Sequence, residues 1–178
     1  MRIISGKFGG RRLIAPDTKL TRPVTEMARN AICNVLADRI DGAAVLDLYA
    51  GSGALGLETL SRGAARAVFV DVASAAVVAI RQNVQSLELD TENQTKIIKQ
   101  TVESYLESTA DSFDIIFLDP PYDDFSLELV QIVSDHLKPS GVLVISTSKK
   151  AQIPATIGQL SQAQNKQYGD TQISYFVK

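Results

Sequence analysis

The stretch Ala43-Ala44-Val45-Leu46-Asp47-Leu48-Tyr49-Ala50-Gly51-Ser52-Gly53-Ala54-Leu55-Gly56 decides the fold class. Ala43–Leu48 reads as a strand, and the glycines after it as a sharp turn into a helix over about 54–62. Downstream the alternation repeats. Ala67–Val70 precedes a helix at about 73–88, Lys96–Lys99 a short helix at about 102–108, and Phe113–Leu118 a helix at about 126–137, before the strand Val142–Ser146. Near-continuous apolar strands alternating with helices predict an α/β fold, a parallel sheet covered on both faces. At the C-terminus, 157–160 reads as helical, and Gln164–Tyr168 with Gln172–Val177 reads as a hairpin around Gly169-Asp170, an antiparallel edge on the sheet. At the N-terminus, Arg2–Ser5 and Arg11–Ile14 flank a Gly-rich turn and read as a hairpin. Pro16 to Pro23 is a connector. An amphipathic helix follows over about 23–40, with Pro23 as its first residue after Thr21 or Arg22.

Gly51-Ser52-Gly53-Ala54-Leu55-Gly56 matches G-x-G-x-x-G between strand and helix, a pattern that dinucleotide-binding folds share. Asp47 discriminates. Beside a pyrophosphate it would be repulsive, whereas the phosphate-free S-adenosylmethionine carries an ammonium and a sulfonium that a carboxylate can hold directly or through water. Asp71, at the end of the next strand, can hold ribose hydroxyls in either cofactor. Tyr49 either touches ligand or packs.

Asp119-Pro120-Pro121-Tyr122 follows the strand Phe113–Leu118. Proline fixes φ and removes a donor, so carbonyls at such a turn can face outward as acceptors. Asp119 and the Pro120 carbonyl can accept from the N–H groups of an exocyclic amine, localising a lone pair that is otherwise delocalised into a base. Tyr122 offers a stacking face worth roughly 1–3 kcal/mol. With the upstream loop, the tetrad predicts methyl transfer to the amino group of a base, which depends on in-line positioning more than on acid–base chemistry.

The chain has 178 residues, ordinary hydrophobic (45%) and charged (21%) fractions, and the length of one domain. Cys33 is its only cysteine and His136 its only histidine, which excludes an internal disulfide and His- or Cys-cluster metals, so no metal is expected. Cys33 is expected in the core, and His136 at a helix end. The N-terminus lacks the apolar run of a signal peptide, and the longest apolar stretch, 67–80, contains Asp71 and is too short for a bilayer. A cytoplasmic location without membrane contact is expected. The net charge of −2 hides +5 over residues 1–29 and −7 over the remainder. A basic arm on an acidic domain suits contact with a phosphate backbone; a solvated hairpin without a partner would have the same composition.

With these residues in place, the chain resembles the bacterial RsmD-type small-subunit ribosomal RNA guanine-N2 methyltransferases. The resemblance runs through the opening Arg2 to Leu13, Thr21-Arg22-Pro23-Val24-Thr25, Leu46 to Glu58, Ser61-Arg62-Gly63 and Asp119 to Tyr122. It implies a class I methyltransferase (Rossmann-like) fold: a seven-stranded, mostly parallel sheet with an antiparallel last strand. Residues 1–22 would be a basic hairpin arm with connector, and 23–178 the S-adenosylmethionine-dependent domain. Asp119, Pro120 and Tyr122 would be catalytic. Asp47, Ala50, Gly51, Gly53, Asp71, Val72, Thr101, Val102 and Thr25 would bind cofactor. Arg2, Lys7, Arg11, Arg12 and Arg22 would hold RNA. The partner would be 16S ribosomal RNA in the small subunit or its assembly intermediate, approached by a monomer.

The chain departs from the family run Arg-Pro-Thr-Thr-Asp-x-x-Arg-Glu at Val24 and Asn30, on the expected cofactor and RNA side. Thr101 stands where Asn or Asp is frequent, and Ser146 where Glu is frequent. An amino-methyltransferase of adenine or cytosine, in RNA or DNA, shares the tetrad. A ribosome-assembly RNA-binding protein without turnover is an alternative of another class. Asp47 and the tetrad disfavour a nicotinamide-dependent oxidoreductase.

Overall fold

In the computed structural model, residues 1–17, 25–121 and 124–178 are described. Thr21, Arg22, Pro23, Val24 and Tyr122 lie outside them. The chain runs through α1 (Glu26–Val35), α2 (Ala37–Ile40), β1 (Ala44–Leu48), α3 (Ala54–Ser61), β2 (Arg66–Val70), α4 (Ser74–Ser86), β3 (Thr95–Ile98), α5 (Val102–Ser108), β4 (Phe113–Leu118), α6 (Leu127–Asp135), β5 (Leu137–Ser148), β6 (Thr156–Ile157), β7 (Leu160–Tyr168) and β8 (Thr171–Val177).

One sheet of order β3-β2-β1-β4-β5-β8-β7-β6 forms the middle layer. The strands β1 to β5 are parallel, and β8 runs antiparallel between β5 and β7. This is the expected mostly parallel sheet with an antiparallel last strand, extended by the two-residue β6. The buried runs of β1, β2 and β4 follow from their two covered faces. Ile3, Leu13, Ile32, Leu36, Leu57 and Ile80 belong to the core on one face, with α1 to α4. Val102, Leu106, Val130 and Val133, from α5 and α6, belong to the core on the other.

Two local expectations are corrected. The helix over 23–40 begins at Glu26 behind Thr25, whose hydroxyl oxygen accepts from the Ala28 N–H, and it breaks at Leu36. There the Arg39 N–H donates to the Leu36 carbonyl at 2.8 Å, a three-residue return that tightens the turn. The segment 157–160 is a hairpin, not a helix: Ile157 pairs with Leu160 across Gly158, whose φ is +57°. Both apolar residues are buried in the same core, so their three-residue spacing imitated a helical period. The β7–β8 hairpin forms the expected antiparallel edge of the sheet, with β8 beside β5.

The N-terminal segment forms a single antiparallel bridge, Arg2 to Arg12, rather than a ladder. The Ile3, Gly10 and Leu13 N–H groups donate across it to the Arg11, Ile3 and Met1 carbonyls, and other backbone donors are taken by the helices beneath. Ile4 and Ser5 N–H groups donate to the Glu58 carboxylate at 2.8 and 3.0 Å, Lys7 N–H to the Ser61 carbonyl at 2.7 Å, and Phe8 N–H to the Ser61 hydroxyl at 2.9 Å. A Cβ on Gly6 would lie 1.9 Å from the Ser61 carbonyl oxygen, so only glycine permits this approach. On α4, Asn83 and Ser86 hold Ile14 and Arg11. Each helix thus grips the segment through an i, i+3 pair on one face.

Candidate active site

Strand order reverses between β1 and β4, and in open α/β sheets the crevice beyond the strands' carboxyl ends at this point binds ligands. Asp47 lies in β1 paired with Phe117 of β4, and Asp119 follows β4 directly. Asp71 follows β2, with its N–H on the Ile98 carbonyl at the end of β3. The topology therefore brings the expected carboxylates to one end of the sheet.

Within the glycine loop, Gly51 has φ +56° and Gly53 φ +73°. A Cβ on Gly51 would meet only the Tyr49 carbonyl oxygen, at 4.0 Å, so the loop presents open backbone there. A Cβ on Gly56 would lie 2.4 Å from a Phe69 ring carbon, which makes this glycine a helix–strand packing position. Tyr49 also adopts a left-handed conformation, φ +57°, costing roughly 1–2 kcal/mol in an L-residue. Its hydroxyl is pushed up to about 12 by burial and by Glu103 and Asp124.

Asp47 is 2% exposed, and its Oδ2 accepts the Gly56 N–H at 2.9 Å, in the first turn of α3. Burial pushes it up to about 8 against this hydrogen bond, and the charges of Asp119 and Asp71 push the same way. A buried carboxylate among other carboxylates fits a cationic ligand group. Asp71 accepts the Gly51 N–H at 2.8 Å through Oδ2 and the Ala73 N–H at 2.8 Å through Oδ1. It thus orients the loop, and carboxylate oxygens keep further acceptor capacity for ribose hydroxyls. Val72 beside it is 59% exposed, an apolar side chain available to a flat ring. These features fit S-adenosylmethionine.

Ala50 N–H donates to the Val70 carbonyl, fixing the loop on β2. Thr101 caps α5, its hydroxyl oxygen accepting from the Ser104 N–H at 3.2 Å, and Val102 is buried behind it. Thr25 serves as the cap of α1.

Asp119 is half-buried and pushed up to about 6 by desolvation, with a hydrogen bond from Ser146 of β5 acting against the shift. Pro120 is buried. The Pro121 carbonyl accepts the Asp124 N–H at 2.9 Å. Ser146, noticed in the sequence only as a departure, is thus a partner of the catalytic candidate.

The expected RNA-contacting cations divide. Arg12 is exposed, and Lys7 lies 5.2 Å over the Phe8 ring. Arg2 pairs with Glu26 at 3.5 Å, and Arg11 donates to the Ser86 carbonyl. Arg29, counted in the basic N-terminal charge, is 0% exposed. It faces Glu58 at 3.7 Å, donates to the Arg2 carbonyl, and leaves Nε and Nη1 without hydrogen-bond partners. Asn30 is not on the cofactor side. Its Oδ1 accepts from Arg62 at the far end of α3, about 12 Å of helix from the glycine loop.

Sequence reasoning missed the roles of Glu58 and Asn83, both 0% exposed. Glu58 sits within an apolar helical run and Asn83 on the apolar stripe of α4 that Ala76, Ala79 and Ile80 mark by helical spacing, the only available signals. Cys33 is core, its thiol pushed up to about 12 by burial, and His136 ends α6. Among the described residues no group of His, Cys, Asp and Glu could hold a metal, and no helix is long and apolar enough to cross a membrane.

The family model described as conserved hypothetical protein 95 matches residues 1–177. The Bacillus subtilis (strain 168) protein YlbH, which carries an rRNA methyltransferase name, is 35% identical over 100% of this chain and 99% of its own length. The ribosomal RNA small subunit methyltransferase D of Escherichia coli (strain K12) is 37% identical over 68% of this chain and 60% of its own length. The solved structure of yhhF from Escherichia coli, which carries a methyltransferase name, superposes with a TM-score of 0.87 at 29% identity, covering 99% of this chain and 96% of that one. From the match along its whole length and from the glycine loop and carboxylates gathered at the switch point, the chain belongs to the RsmD-type ribosomal RNA methyltransferase family.

Proposed function

We propose that this protein transfers a methyl group from S-adenosylmethionine to the exocyclic N2 amine of a guanine in 16S ribosomal RNA, presented in the small ribosomal subunit or its assembly intermediate. The observation that carries the reading is the placement of Asp119 and Pro120 at the carboxyl end of β4, beside the glycine loop at the end of β1. The bound cofactor supplies an electrophilic methyl on a positively charged sulfur. Asp47 holds its cationic amino-acid end, Asp71 its ribose hydroxyls, and Val72, Thr101 and Val102 the adenine side. Asp119, ionised, accepts one N–H of the guanine amine and the Pro120 carbonyl the other, leaving a localised lone pair to attack. Tyr122 stacks on the base. After transfer the surplus amine proton leaves through Asp119 or solvent. Residues 1–22 act as the RNA-contacting arm, through Arg2, Lys7, Arg11, Arg12 and Arg22, and 23–178 as the methyltransferase domain, a cytoplasmic monomer.

The test is transfer of label from S-adenosylmethionine to unmethylated small ribosomal subunits, with Asp119→Ala in parallel. Label recovered as N2-methylguanine with the unmutated protein, and lost in the variant, supports the reading. Label on an adenine or cytosine amine replaces the target. Cofactor binding without transfer to competent subunits replaces the enzyme reading with an RNA-binding assembly role.

A further inference from the structure

The side chain of Asn83 joins the glycine loop to the N-terminal segment. Asn83 of α4 is 0% exposed. Its Oδ1 accepts the Ile14 N–H at 2.7 Å, while its Nδ2 donates to the Ile14 carbonyl at 3.0 Å and the Ser52 carbonyl at 3.0 Å. Only this amide orientation satisfies all three partners, because a flipped amide would set donor against donor. Ser52 lies between Gly51 and Gly53, both at positive φ, so its peptide has little intrinsic conformational preference. A second link runs alongside: the Ser52 hydroxyl donates to the Met1 Sδ at 3.4 Å, and the Met1 carbonyl accepts the Leu13 N–H at 3.0 Å. Arg11 is tied to the same face of α4 through the Ser86 carbonyl, and Arg12 next to it is exposed.

We infer that Asn83 is a positioning residue that couples the RNA-contacting arm to the cofactor loop, so that RNA on the arm and cofactor in the loop each tighten the other. The inference rests on the assignments of loop and arm made above. Both ligands need the same arrangement of residues 1, 13–14 and 51–53, and ordering by one lowers the ordering cost for the other. By linkage the effect is reciprocal.

The dissociation constant of labelled S-adenosylhomocysteine is measured for the full chain with and without saturating unmethylated small subunits. The unmutated protein is expected to show tightening of roughly five-fold or more, and Asn83→Ala a ratio near one. A lower melting temperature with the ratio retained would make Asn83 merely structural and overturn the inference. Should Asn83→Ala not fold, hydrogen exchange on the unmutated protein decides. S-adenosylhomocysteine alone should slow exchange at Leu13 and Ile14 as well as at Gly51–Gly53. Protection of the loop without protection of Leu13 and Ile14 overturns the coupling and leaves the cofactor assignment standing. No protection at the loop removes both.

Discussion

Asp119 provides the sharpest test of the site, through Ser146. The carboxylate must be ionised to accept from an amine, and desolvation holds its pKa at about 6. With saturating cofactor, methyl transfer should therefore be full above about pH 7.5 and halved near pH 6. It should fall about ten-fold for each unit below that, since only the ionised fraction accepts. Ser146→Ala removes the hydroxyl that donates to this carboxylate. A hydrogen bond to a charged group contributes roughly 1.5–3 kcal/mol. Water can replace part of it at a half-buried residue, so a shift of about one unit, to about 7, is expected. The deficit of the variant should then be about five-fold at pH 6, about two-fold at pH 7, and absent at pH 8.5. Single-turnover transfer of labelled methyl to unmethylated small subunits, across this range, reads the midpoint directly. A Ser146→Ala deficit of equal size at every pH would refute the reasoning, as would an unmutated profile flat down to pH 5.

Asp47 should make the cofactor-free protein less stable in alkali. Its folded pKa, about 8, lies above the unfolded value, so its contribution is complete below about pH 4 and lost as pH rises through about 8. Denaturant unfolding should show a loss on the order of a few kcal/mol over that window, flattened in Asp47→Asn. Gly51→Ala and Gly56→Ala should separate ligand from core. The first places Cβ in open space and costs folding only about 1 kcal/mol while weakening cofactor binding; the second meets Phe69 and lowers stability by roughly 1–3 kcal/mol. Calorimetry and thermal melts distinguish them, and equal melting temperatures would contradict the packing argument. Arg12→Ala should weaken RNA binding and reduce its logarithmic salt slope by about one, whereas an unchanged slope would take Arg12 off the phosphates. Glu58→Ala should cost roughly 3–5 kcal/mol by leaving Arg29 buried without its carboxylate, with faster hydrogen exchange at Ile4 and Ser5 as the diagnostic.

The sequence by itself determined the features that short-range chemistry fixes. The apolar strands from Ala43 to Ser146 announced a covered parallel sheet, because burial on both faces requires that pattern. The glycines at 51 and 53 announced a turn with positive φ, which they adopt. Asp47, Asp71 and Asp119 could be assigned to strand ends, and hence to one edge of the sheet, because parallel strands share a direction. Three-dimensional packing decided the rest. Whether Arg29 faced RNA or the core depended on Glu58, a helix away in sequence. The hairpin pattern of residues 2–14 was legible, but not the choice of its backbone donors between each other and the Glu58, Ser61 and Asn83 side chains. The apolar pair Ile157 and Leu160 fits a helix or a tight hairpin equally well, and the core shared with α5 and α6 chose the hairpin. Likewise, the chemical types of Asp47 and Asp119 were visible, whereas their raised pKa values arise from desolvation and neighbouring charges that exist only once the strands are assembled.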